Sequence, residues 1–204
     1  GYYRFNKEDV RFSADTAHNS TEVDILLSVK LHQKDGRTAP TPHKRYTIGT
    51  VNFLTDLAPQ QAASDTLYQQ GYNFLYNDRL HFRKRLLISN TMVRPGMPYN
   101  DSRFKRTYTN YTRLPAISFS SISLTERPGT DTLDCNILVN HAKPHSFGFD
   151  IEATNSAGDL GAALSTSYQN KNLFRGSETF TFKIRGAYEA ITGLQEGYEN
   201  DDYQ

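Results

Sequence analysis

The stretch Arg94-Pro95-Gly96-Met97-Pro98-Tyr99-Asn100-Asp101-Ser102-Arg103-Phe104 decides the fold. Two prolines and a glycine end one helical pattern, and three capping residue types open another. Upstream, Phe82, Leu86 and Leu87 form an apolar stripe, so a first helix is expected to run up to Arg94-Pro95-Gly96. Downstream, Phe104, Tyr108 and Tyr111 recur at i, i+4 and i+7, the spacing of a second helix that stops before Pro115. Strands bracket the pair. Tyr46 to Leu54 precedes it, with an apolar phase that shifts between Ile48 and Val51, as a bulge or two covered faces would require. After it come Ala116 to Thr125 and Thr132 to Asn140, joined by a turn at Arg127-Pro128-Gly129-Thr130. In the first of these strands Ile117 and Phe119 are out of phase with Ile122 and Leu124, which places a bulge near Ser120 and Ser121. Residues 45–142 thus read strand, helix, helix, strand, strand. Residues 55–80 interrupt this order with an inserted loop or hairpin that holds a short strand at Tyr72 to Tyr76.

On one side lies a hairpin over residues 1–33. Val23, Ile25, Leu27, Val29 and Leu31 share one face, and that face needs a cover that nothing nearby provides. A linker at 34–44, with Gly36, Pro40 and Pro42, follows. On the other side, residues 143–190 change character. Phe147, Phe149, Ile151 and Ala153 alternate with Ser146, Gly148, Asp150 and Glu152. Leu160, Ala162, Leu164, Thr166 and Tyr168 then alternate in turn, followed by Phe180, Phe182 and Ile184. Strands of about ten residues with one apolar and one polar face fit an outer-membrane barrel, and equally any antiparallel meander with one solvated face. Residues 191–204, with Glu196, Glu199, Asp201 and Asp202, are expected to be a disordered acidic tail.

Composition agrees with a strand-rich α+β chain. Among 204 residues there are 13 Tyr and 12 Phe, too much aromatic area for a disordered chain. Apolar residues make up 37%, and the mean hydropathy is −0.65. No stretch approaches the run of about 20 apolar residues that a membrane helix needs. A formal charge of +1 gives no global attraction to nucleic acid. Locally, however, Arg79, Arg83, Lys84, Arg85, Arg94, Arg103, Lys105, Arg106 and Arg113 face only Asp101, a net of +8 from residue 79 to 113. The single cysteine, Cys135, shares parity with Leu133, Ile137 and Val139 and reads as a buried strand residue.

No enzyme motif is present: no GxSxG, P-loop or HExxH. His141 and His145 are four apart, but Pro144 between them breaks any helix that would align them, so no metal site is expected there. Asp150 and Glu152 share a strand face without acid–base partners. Catalytic residues, cofactors and metals are all expected to be absent.

The βααββ order followed directly by amphipathic strands resembles a POTRA domain leading into the barrel of the BamA/TamA superfamily. Arg94-Pro95-Gly96-Met97-Pro98-Tyr99 resembles the pGxxY turn between the POTRA helices, and Thr107 to Phe119 resembles the second helix and its exit. His145 through Gly161 to Asn172-Leu173-Phe174-Arg175-Gly176-Ser177-Glu178 resembles the first barrel strands with their NLFGrG-like hairpin. Gly1-Tyr2-Tyr3-Arg4-Phe5 resembles the end of a preceding POTRA helix, so the sequence is expected to be cut from a longer protein.

The resemblance implies a non-enzymatic outer-membrane assembly factor, with this portion mostly periplasmic and the membrane reached through the full-length barrel. Its partners would be unfolded outer-membrane protein clients and subunits of the assembly machinery, with no nucleic acid and no cofactor. Clients would add a strand to the edge formed by Ile117, Phe119, Ser121 and Ser123. The unclosed barrel strands would pair with a neighbouring chain. Arg83, Lys84, Arg85, Arg103, Lys105 and Arg106 form a candidate patch for an anionic surface. The alternative is a small soluble α+β module that uses these basic helices to bind RNA or anionic lipid.

Overall fold

The computed structural model describes residues 2–15, 23–33, 40–57, 61–156 and 159–190. Among them the chain is mixed α+β and rich in strands, with two α-helices and three separate open sheets. The expected tail at 191–204 lies outside the described residues.

β1 (Val10–Asp15) and β2 (Asp24–Val29) form a two-stranded antiparallel sheet after a single 3-10 turn at Lys7–Asp9. Its apolar side chains stay uncovered: Phe12 is 73% exposed and Ile25 70%. The preceding residues reach the next sheet, because the Arg4 guanidinium makes a bidentate ion pair with Glu126.

The central sheet has five strands: β3 (Thr47–Thr55), β4 (Asp65–Gln69), β5 (Tyr72–Tyr76), β6 (Ile117–Glu126) and β7 (Thr132–His141), in the order β4-β5-β3-β7-β6. The βααββ expectation counted three. The other two are a tight hairpin within the insertion, turning at Gln70 (φ 54°) and Gly71 (φ 85°), the double left-handed geometry that two-residue hairpin turns require. The hairpin earns its place in the sheet because Tyr72 and Phe74 are buried, with Phe74 stacked on Phe53 at 5.0 Å. β3 pairs in parallel with both β5 and β7.

Both expected bulges are present, one of them shifted. In β3 the register slips between Ile48 and Val51, so both residues reach the same core. Asp134 fills the slip. Its Oδ1 accepts from the Thr50 N–H (2.9 Å) and hydroxyl (2.8 Å), and Arg127 pairs with it at 2.8 Å. In β6 the slip falls between Ile117 and Phe119, not at Ser120–Ser121. Ser118 stabilises it there by donating its hydroxyl to the His141 carbonyl at 3.0 Å.

α1 (Lys84–Asn90) is shorter than the apolar stripe suggests. Phe82 is buried but precedes the helix. The helix stops at Asn90 because polar side chains take up its last carbonyls. Asn90 Nδ2 donates to Leu86 O (2.9 Å), and Thr91 Oγ1 to Leu87 O (2.9 Å). α2 (Asp101–Thr112) begins as expected, with Asn100 Oδ1 accepting from Ser102 N–H. Its buried stripe is Phe104, Thr107 and Tyr111 rather than Phe104, Tyr108 and Tyr111. Tyr108 lies about 60° around the helix from Tyr111 and is 48% exposed. Tyr111 fastens the two helices: its hydroxyl donates to Leu87 O at 2.6 Å, and burial pushes its pKa far up.

The core between helices and sheet contains Ile48, Val51, Phe53, Phe74, Leu87, Tyr111, Leu133, Ile137 and Val139. Cys135 lies within it, and burial raises its thiol pKa to about 12, which makes it a core residue without reactivity. The other face of the sheet carries an asparagine ladder, Asn73 to Asn52 to Asn136, each contact 2.8 Å.

The third sheet, in the order β10-β9-β8, is an antiparallel meander of β8 (His145–Ser156), β9 (Asp159–Asn170) and β10 (Phe180–Ala190). One face is apolar and exposed, including Phe149 at 75% and Ile151 at 85%. On the other face Asp150 pairs with Lys183 (3.6 Å) and Glu152 with Arg185 (2.6 Å). The two carboxylates therefore make cross-strand ion pairs.

Asp134 gives a pH signature. Burial alone would raise its pKa, but the Thr50 N–H, the Thr50 hydroxyl and Arg127 outweigh it and hold the carboxyl below the ordinary aspartate range. A depressed folded pKa adds stability above the unfolded pKa and loses it as pH falls through the folded one. Asp134→Asn is expected to cost roughly 1–2 kcal/mol at pH 7. In urea melts from pH 7 to pH 3, the gap to wild type should stay constant down to about pH 5 and narrow below about pH 4.

Candidate functional site

The turn Arg94 to Tyr99 supports one wall of a groove. Gly96 takes φ 79°, donates its N–H to Ile48 O (2.7 Å), and is followed by Met97 O, which accepts from Ile48 N–H (2.8 Å). Tyr99 N–H then donates to Tyr46 O (2.8 Å). These bonds fix the Tyr99 ring, which stacks on Phe104 at 5.3 Å and receives Tyr3 edge-on at 5.3 Å. The motif is thus a backbone clasp on the start of β3 that presents an aromatic ring.

Opposite that wall runs β6. Within the chain it pairs with β7 on one side only, so its outer N–H and C=O groups form a free edge among the described residues. Between β6 and α2 lies a groove of about 1000 Å³, lined by Tyr3, Tyr99, Phe104 and Tyr108 on one side and residues 119–124 on the other. All the sequence-selected edge residues are on β6. Phe119 is 52% exposed, Ser123 is exposed, and Ile117 and Ser121 are half-buried. Ser120, which faces the core, has a buried hydroxyl without a hydrogen-bond partner among the described residues. Tyr108 and Tyr3 belong to the groove too. A helical-stripe reading assigns Tyr108 to the core and so hides it.

The basic residues separate into two groups. Arg83, Lys84 and Arg85 surround a depression of about 540 Å³ together with Arg79 and Arg175. Arg175 comes from the β9–β10 turn, a contributor the charge count omitted. Arg103, Lys105 and Arg106 lie on α2, where Lys105 pairs with Asp101 (2.6 Å) and Arg103 Nη1 donates to Met97 Sδ (2.8 Å).

The β9–β10 turn is also where the third sheet meets the central domain. Asn172 Oδ1 accepts from Ser177 N–H (3.1 Å), and the Glu178 carboxylate accepts from Gly176 N–H (2.9 Å). These bonds hold Arg175 and Ser177 at positive φ (61° and 62°). The Glu178 carboxyl is held below its usual range, mainly by backbone N–H donors. So shaped, the turn docks: Asn172 Nδ2 donates to His81 O (3.0 Å), Arg83 N–H to Arg175 O (2.8 Å), and Ala116 N–H to Ser177 Oγ (3.0 Å).

Beside this joint, His81 and His141 stack at 4.2 Å and share the Asp56 carboxylate. The partner of His141 is therefore His81, sixty residues away; His145 bonds Tyr168 Oη instead (2.8 Å). No sequence spacing signals such a pair.

No protein-family model and no curated protein matches the chain. Among solved structures, BamA from Haemophilus ducreyi lacking POTRA domains 1–3 is similar over 87% of this chain and 32% of that one, with 10% identity and a TM-score of 0.42. CdiB from Acinetobacter baumannii is similar over 78% of this chain and 42% of that one, with 8% identity and a TM-score of 0.44. The chain thus spans less than half the length of either.

The docked turn is testable. Asn172→Ala removes both the His81 contact and the internal brace to Ser177. Amide hydrogen exchange across residues 172–178 should accelerate at least tenfold while the α1–α2 amides keep their protection. Unchanged exchange in the turn would mean that Asn172 does not hold the joint.

Proposed function

We propose that the chain is the periplasmic POTRA part and first barrel strands of an outer-membrane protein assembly factor, and that it binds clients or partner subunits by strand addition at β6. The observation that carries this reading is the free edge of β6 beside an aromatic groove. A client strand would gain main-chain hydrogen bonds from the edge, which recognise backbone rather than sequence. Its alternate side chains would face the groove, where Tyr3, Tyr99 and Tyr108 offer apolar contact without a shaped pocket. Such tolerance suits a factor that handles many proteins and needs no catalytic residue. The serines at 118, 120, 121 and 123 keep the edge from being apolar, and the bulge at Ser118 shortens it, two devices that limit uncontrolled pairing.

The third sheet supports the membrane half of the proposal. Its strands are 11–12 residues long, with an exposed apolar face and a polar face bridged by ion pairs. The outer edges of β8 and β10 are unpaired among the described residues, so further strands or a neighbouring chain would extend them. The basic depression, which gains Arg175 from the β9–β10 turn, would then lie close to lipid headgroups.

Phe119→Pro tests the edge. Capture of unfolded barrel peptides, followed by fluorescence polarisation in detergent, should weaken at least tenfold in protein whose helices remain intact by circular dichroism. Equal affinity in that folded variant removes β6 from the account. If the variant does not fold, client peptides N-methylated at alternate amides make the same test from the other side, and binding unaffected by either methylation register would count against strand addition.

A further inference from the structure

We infer that Asp56, His81 and His141 form a binding site for a zinc-class divalent transition metal. One ligand atom from each of the three residues lies within 4.8 Å of the others. Asp56 Oδ2 accepts from His81 Nδ1 (2.8 Å), and Asp56 Oδ1 accepts from His141 Nδ1 (2.8 Å). The rings stack nearly parallel, 21° apart at 4.2 Å, so both Nδ1 atoms sit on the same side against one carboxylate, and the rings must tilt towards each other for their in-plane lone pairs to meet at one ion. Two imidazoles and a carboxylate are a common three-ligand set for zinc, with water in the fourth position. Imidazole nitrogen disfavours magnesium and calcium, which prefer oxygen.

The site is preorganised by backbone that the rest of the fold fixes. Asp56 follows β3 and takes φ 55°, with its N–H bonded to Val139 O (3.1 Å). Its Oδ1 also accepts the His141 N–H at 2.7 Å. The His81 carbonyl accepts from Asn172 Nδ2. His81 and Asp56 are about a quarter exposed and His141 is 40% exposed, so the cluster is held in place yet open to solvent.

Tetrahedral ligands around zinc sit about 3.3 Å apart, so each Asp–His contact must open by about half an ångström. The Nδ1 protons must move to Nε2 through solvent. His81 Nε2, which now accepts from Arg79 Nε (3.3 Å), would then donate, and the Arg79 side chain must swing away. Zinc would tie together the end of β3, the entry to α1 and the end of β7, next to the docked β9–β10 turn. The inference stands apart from strand addition at β6.

Zinc chloride titrated into the full chain in detergent, read by calorimetry, tests it. Binding should weaken at least tenfold in Asp56→Asn, in His81→Ala and in His141→Ala. It should survive in the control His32→Ala/His43→Ala, which removes the other neighbouring histidine pair. Asn at 56 keeps an acceptor for the His141 N–H, so that variant preserves the fold's own contact. Should variants unfold, nitrogen-15 spectra of the wild-type imidazoles decide: zinc must move the Nδ1 resonances of His81 and His141. Binding lost only in the His32/His43 control, or Nδ1 resonances unmoved by zinc, would overturn the site.

Discussion

Parallel pairing of β3 with β7 is the constraint on which the rest of the structure depends. Two strands that run the same way end at the same side of a sheet. The C-terminal ends of β3 and β7 therefore meet, which sets Asp56 beside His141 and brings the chain out of β7 towards β8. The same pairing fills one side of β7 and leaves β6 to close the other, so β6 becomes an edge. The joint to the third sheet and the free edge thus follow from one choice of strand direction.

That choice is stabilised by groups that would otherwise be costly. A parallel strand buried between two neighbours needs apolar side chains on its covered face, and Val51, Phe53, Leu133, Ile137 and Val139 supply them. Its opposite face is half-covered and polar, and the asparagines at 73, 52 and 136 satisfy one another across three strands. The bulge in β3 would leave Thr50 unpaired if Asp134 did not accept both its donors. Tyr111 then secures α1 over this core through a hydrogen bond that is itself fully buried.

Much of this was legible in the sequence because it is local. The Gly96 turn, the Asn100 cap, the phase slip after Ile48 and the alternation of residues 147–153 each depend on neighbours in the chain. The outer position in the sheet of the strand that holds Ile117, Phe119, Ser121 and Ser123 was expected too. What escaped is long-range or depends on side-chain competition. The inserted loop or hairpin with a strand at Tyr72 to Tyr76 was expected, but its first strand, β4, escaped because the hairpin turns on Gln70, a residue with no marked turn preference. Its membership of the sheet depends on Phe74 meeting Phe53. α1 ended early because Asn90 and Thr91 bond back to carbonyls that the apolar stripe cannot reveal. Tyr108 shares a helical stripe with Tyr111 by spacing, yet the position of β6 leaves it facing a groove. The Asp56, His81 and His141 cluster joins three segments whose separations carry no pattern.

The central claim is that β6 acts as an unpaired strand that accepts another. Site-specific photo-cross-linking along residues 117–126, with an unfolded barrel protein as client, tests it most directly. Strand addition requires cross-links that rise and fall with a period of two residues and continue along β6 to Leu124. Uniform cross-linking at every position, or cross-links confined to α2 with none on β6, would contradict it.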